Sequence, residues 1–141
     1  MRRTFAVLAM AAALVALPAA LAFAGGRPFS TTMSGANEVP GPGDPDGTGF
    51  ARVTLNQGRG EVCFDIEVSN IGDPIAAHIH VGGTDVAGPV VVPLPITEGF
   101  EGCVSADSGL IKAIRQNPTD YYVNVHNSEF PAGAVRGQLS K

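Results

Sequence analysis

The sequence predicts an all-β fold, a Greek-key β-sandwich with one short helical insertion, and three observations carry that prediction. Apolar and polar residues alternate over short runs, as in residues 50–56 and 61–69, which is the two-residue period of a half-buried strand. With 18 glycines and 11 prolines in 141 residues, the chain is punctuated too often for long helices. Only residues 106–117 change to helical spacing.

In chain order, residues 1–24 read as an export signal peptide. Arg2 and Arg3 precede an apolar run that extends to Phe23, and Ala22-Phe23-Ala24 offers the small residues that a signal peptidase reads. Cleavage before Gly25 leaves about 117 residues and no membrane span, because no later stretch is long and apolar enough. Loss of the two arginines takes the net charge from −4 to about −6. Nucleic acid selects for clustered cations, so an acidic chain with singly scattered Lys and Arg argues against such a partner. The expected address is secreted or periplasmic.

One domain is expected over residues 29–141. Residues 29–33 form a first strand, and residues 36–49, dense in Gly, Pro and Asp, form a loop. The next strand sets Phe50, Arg52 and Thr54 against Ala51, Val53 and Leu55, and Gly58-Arg59-Gly60 turns it back into residues 61–69 as a hairpin. After a turn at residues 70–74, a strand carrying His78 and His80 runs to Val81, where Gly82-Gly83 ends it. Residues 89–95 are continuously apolar but hold three prolines, which predicts an irregular or edge strand. A further strand covers residues 101–105. The helical stretch then places Leu110, Ile111 and Ile114 on one side, with Asp107 or Ser108 as N-cap and Pro118 beyond the end. Residues 121–126, the turn 127–133 and residues 134–139 close the chain as a second hairpin. Seven or so short strands with one helix in a single domain point to the Greek-key sandwich.

Cys63 and Cys103 are the only cysteines, and in an exported chain the natural expectation is a disulfide between them. Cys63 shares a strand face with Asp65 and Glu67, which puts the bridge near a surface. Thiolate metal ligands are the weaker alternative.

The candidate site lies in Ala77-His78-Ile79-His80-Val81, which holds two of the three histidines. Alternation turns His78 and His80 to one face and Ala77, Ile79 and Val81 to the other. His126 shares a face with Tyr122 and Asn124 in a second strand. If the two strands are neighbours, three neutral imidazoles converge, a set that suits a mononuclear copper or zinc ion and leaves an open position. Glu129, Asp85 and Tyr122 are candidate fourth groups. The alternative is structural: the histidines bond to Asn124, Tyr122 or loop carbonyls and fix strand register. Glu38 and Asn37, beside Pro40, either cap backbone amides of their loop or contact a ligand.

Taken together, several separated motifs resemble a chordin-type (CHRD) domain. They are Phe29-Ser30-Thr31-Thr32-Met33-Ser34-Gly35-Ala36-Asn37-Glu38-Val39-Pro40, Gly47-Thr48-Gly49, Ala77-His78-Ile79-His80, Tyr122-Val123-Asn124-Val125-His126 and Phe130-Pro131-Ala132-Gly133-Ala134-Val135-Arg136-Gly137-Gln138-Leu139. The resemblance implies a secreted sandwich, superoxide dismutase-like or immunoglobulin-like, of a kind found in bacterial exported proteins and in animal chordin, which binds bone morphogenetic proteins. It implies no established enzyme activity. The histidine pattern is also similar, more weakly, to copper-zinc superoxide dismutase, in which His78 and His80 would match paired copper ligands and His126 a late one. That likeness invites an anion-guiding role for Arg136. On its strand, however, an arginine more often pairs with an acid such as Asp65 or Glu67. The fourth copper histidine and the zinc histidines of that family are absent, which argues against a binuclear site.

No nucleophile and base stand in a strained elbow, no pair of carboxylates has a recognisable spacing, and Gly82-Gly83 leads into no phosphate-binding helix. Three expectations remain. The first is a non-enzymatic binding or structural module for a protein or surface ligand. The second is a copper- or zinc-binding protein using His78, His80 and His126, and the third is a redox enzyme of the dismutase type.

Overall fold

The computed structural model describes residues 26–141, so the signal-peptide expectation for residues 1–24 lies outside the described residues. Eight strands form, against the seven or so expected: β1 Arg27–Ser34, β2 Thr48–Asn56, β3 Glu61–Ser69, β4 Pro74–Val81, β5 Val90–Leu94, β6 Glu101–Ser105, β7 Tyr121–Asn127 and β8 Val135–Gln138. One helix, α1 Ser108–Gln116, interrupts them. Asp107 caps it, its carboxylate accepting the Leu110 N–H at 2.9 Å, and Ile111 and Ile114 are buried.

All strand pairs are antiparallel, in the order β5-β4-β7-β8-β1-β2-β3-β6. β3 pairs with β6 and β4 with β7, so chain neighbours are separated in the Greek-key manner. The β8–β1 seam is thin: Ser34 opposes Arg136, and a bridge from Ser30 to Ser140 extends it. Buried residues from both sides of this seam belong to one core cluster, so the two halves of the sheet share a core. The two end strands approach each other, with Pro93, Leu94 and Val104 lining one groove. Proline within β5 is tolerated because β5 is an end strand, as its sequence predicts.

Between the halves, Phe29, Met33, Val53, Leu55, Phe64, Ala77, Ile79, Val123 and Val125 form a continuous core with Ile111 and Ile114. Cys63 and Cys103 face each other in the β3–β6 register and are bonded. Cys103 is exposed, so the bridge is the near-surface staple the sequence predicts. Among the described residues, no helix is long and apolar enough to cross a membrane.

Candidate metal centre

Register decides what β4 and β7 bring together. Ala77 and Ile79 of β4 and Val123 and Val125 of β7 are claimed by the core, which turns the intervening residues to the outer face. Ala76 opposes His126, His78 opposes Asn124 and His80 opposes Tyr122. The three histidines therefore share one face of two adjacent strands, and one ring nitrogen from each lies within 4.8 Å of the other two.

The hydrogen bonds fix which nitrogens are available. A carbonyl oxygen only accepts, so His80 donates from Nδ1 to Gly88 O at 2.8 Å and His126 donates from Nδ1 to Pro131 O at 3.1 Å. In each neutral ring this leaves the lone pair on Nε2. His80 Nε2 is buried and has no partner. His126 Nε2 sits 3.1 Å from His78 Nδ1, which donates to it, and 3.0 Å from the Asn124 side-chain amide, whose nitrogen is the atom that can face this lone pair. Imidazoles bound to metal commonly tie the opposite N–H to a carbonyl in this way, which fixes the tautomer and the ring orientation. Burial, reinforced by His126 and His80, pushes His78 down to about 4. Burial also lowers His126, against the raising effect of its Pro131 hydrogen bond and with a further lowering by His80. At neutral pH His78 and His126 are accordingly held in the form that binds metals.

No carboxylate joins the three histidines among the described residues. Glu129 and Asp85, offered by the sequence as fourth groups, are exposed on loops and do not belong to the histidine group. Tyr122 is not a fourth ligand either, because its hydroxyl accepts the Gly88 N–H at 3.1 Å. Its ring instead supports the site: His80 stacks on it at 4.7 Å, with 7° between planes. Cys63 and Cys103 lie near Glu61, but the disulfide consumes their sulfurs and removes the thiolate alternative.

Arg136 corrects another expectation. It pairs with neither Asp65 nor Glu67, which lie on β3, opposite Arg52 and Phe50 of β2, while β8 lies between β7 and β1. Its guanidinium donates to Val86 O at 3.0 Å, to Gly83 O at 2.7 Å and to Gln138 Oε1 at 3.3 Å, and lies 3.4 Å from the Tyr122 ring centre. Because β7 runs between β4 and β8, His80 reaches Tyr122 from one side and Arg136 from the other. Gln138 adds bonds to Gly82 O at 2.7 Å and Thr119 O at 2.8 Å. The loop between β4 and β5 is thus held down by His80, Tyr122, Arg136 and Gln138 together. A Cβ on Gly88 would collide with the Val81 carbonyl, so this close approach requires glycine.

The Asn37 side chain donates to Arg136 O at 3.2 Å and so fastens β8, in place of the capping role the sequence offered as one alternative. Glu38 is buried, with Oε1 unpartnered. Burial pushes its carboxyl up to about 7, against the nearby Arg136 charge and a Val39 backbone hydrogen bond. Gly88, Pro131 and Gln138 were not singled out by the sequence. Two of them act through backbone carbonyls, which any residue carries, and only the alternation of Gln138 with Arg136 hinted at a shared face.

Fold and site together define a small disulfide-stapled β-sandwich module with a histidine cluster on one sheet face. Residues 29–139 match the family model of the CHRD domain, and the chain belongs to that family of small, extracellular-type binding or structural modules. No curated protein and no solved structure matches it.

Proposed function

We propose that the domain is an exported, non-enzymatic metal-binding module in which His78, His80 and His126 hold one copper or zinc ion. The observation that carries this reading is the buried, unpartnered Nε2 of His80, facing two further imidazole nitrogens. Leaving such a buried nitrogen unmatched costs about 1–3 kcal/mol, and a bound cation satisfies it. Structural packing accounts for the His78–His126 contact but not for His80 Nε2. The disulfide and the leader-like residues 1–24 support secretion or residence in a periplasm.

Calorimetric titration of the oxidised domain with Cu(II) and Zn(II), with elemental analysis after dialysis, tests the reading. One equivalent is expected for the wild type and none for His80→Ala, with the fold retained. Undiminished loading of a folded His80→Ala variant, or no binding by the wild type, would overturn it and turn the search to protein or surface ligands.

A further inference from the structure

Three neutral nitrogens accept copper and zinc alike, but a buried positive charge beside them does not treat the ions equally. Resting on the metal-site reading above, we infer that Arg136 is a specificity-determining residue that biases the centre toward monovalent copper and against divalent zinc.

Arg136 is only 1% exposed. Among the described residues, Arg59 pairs with Glu61, and no carboxylate forms an ion pair with Arg136. Its hydrogen bonds go to neutral acceptors, the carbonyls of Val86 and Gly83 and the amide of Gln138. Two acids face it: Glu38, whose carboxyl burial pushes up to about 7 against the Arg136 charge, so that it is only partly ionised at neutral pH, and Asp85, exposed at the rim of the cleft that Arg136 lines. Neither takes a direct bond from the guanidinium. A buried positive charge, offset only in part by Glu38 and held by no direct ion pair, stands one aromatic ring away from His80, across Tyr122.

The ligand set offers nothing to offset it. A carboxylate or thiolate would neutralise part of a dication, whereas three imidazoles contribute no charge. Each unit of positive charge on the bound ion meets the Arg136 charge at a separation where Coulomb repulsion in a partly buried setting changes affinity by about tenfold. Divalent ions meet that repulsion twice, monovalent copper once. The loop carbonyls and the Asn37 contact to β8 keep the charge in place.

The test measures Cu(I) affinity against bicinchoninate and Zn(II) affinity against a chromophoric chelator, for wild type, Arg136→Lys, Arg136→Met and Arg136→Gln, with thermal unfolding as a fold control. The wild type should bind Cu(I) more tightly than Zn(II). The neutral variants should lose that preference by about tenfold, with the Cu(II)-to-Cu(I) affinity ratio rising by the same factor, and Arg136→Lys should retain most of it. A merely structural arginine would weaken both ions alike. An unchanged ratio in a folded neutral variant would overturn the inference while leaving the metal site standing. A wild type that takes neither ion would remove the site itself. If Arg136→Met does not fold, Arg136→Gln, which keeps donors toward the loop carbonyls, supplies the neutral case.

Discussion

The imidazole of His80 lies flat on the Tyr122 ring, 4.7 Å between centroids and 7° between planes, and the same ring takes the Arg136 guanidinium 3.4 Å from its centre. This stack joins β4, β7 and β8 on the outer face, where no core packing reaches. It makes one tyrosine the platform for both the candidate ligand and the charge beside it.

Tyr122→Phe keeps the platform and loses the hydroxyl that accepts the Gly88 N–H. The expected cost is about 1 kcal/mol, with metal affinity little changed. Tyr122→Ala removes the platform, and the expected cost rises to about 3–4 kcal/mol with a marked loss of affinity. Denaturant unfolding and calorimetry on both variants check the contrast, and equal effects would show that the stack does not orient His80.

Protonation acts on this fold in opposite directions. His78, lowered from 6.5 to about 4, binds its proton more readily in the unfolded chain, so its contribution is complete above pH 6.5 and is lost as pH falls toward 4. His126, lowered as well, has the same sign. Glu38, raised from 4.5 to about 7, binds its proton more readily when folded, so its contribution is present below 4.5 and is lost as pH rises through 7. Glu38→Gln removes only the second trend. Its stability relative to wild type should grow from pH 4.5 to pH 8 in denaturant titrations, and a difference that stays constant with pH would contradict the assignment.

The Cys63–Cys103 bridge spans 40 residues of sequence. Constraint of the unfolded chain over such a loop gives about 4 kcal/mol. The Cys63→Ala/Cys103→Ala double variant should unfold at correspondingly lower denaturant concentration, and reduction of the wild type should reproduce it. The histidine site lies on other strands, so metal stoichiometry at low denaturant should persist.

Gly133 holds φ at +148°, and an added Cβ would strike both carboxylate oxygens of Glu38. Gly133→Ala is expected to cost about 2–3 kcal/mol through strain and displacement of that carboxyl. Pairing it with Glu38→Ala relieves the collision. The double variant should recover part of the loss, and strict additivity of the two effects would argue against the contact.

The elements were legible because alternation is a local property. Glu61–Ser69 and Glu101–Ser105 fall at the bounds their residues predict, and Asp107 caps α1 as its position suggests. Prolines in the run at residues 89–95 announced an end strand for the same reason, since a missing donor is written in the residue itself. The expected number of strands, seven or so, fell one short of the eight observed. The partners of Arg136 were misread because composition favours an acid, while the fold supplies loop carbonyls from residues some fifty positions away.

The sequence by itself determined the strands, the helix, the cysteine pair available for bonding and the facing of His78 with His80, all consequences of side-chain type and two-residue periodicity. Only the tertiary structure decided that β4 lies beside β7, which brings His126 to them, and that Gly88 and Pro131 take the Nδ1 protons, leaving His80 Nε2 bare. Strand adjacency is a global outcome of burying one apolar core. Backbone carbonyls carry no residue signature, so their place in the site appears once the chain has folded around them.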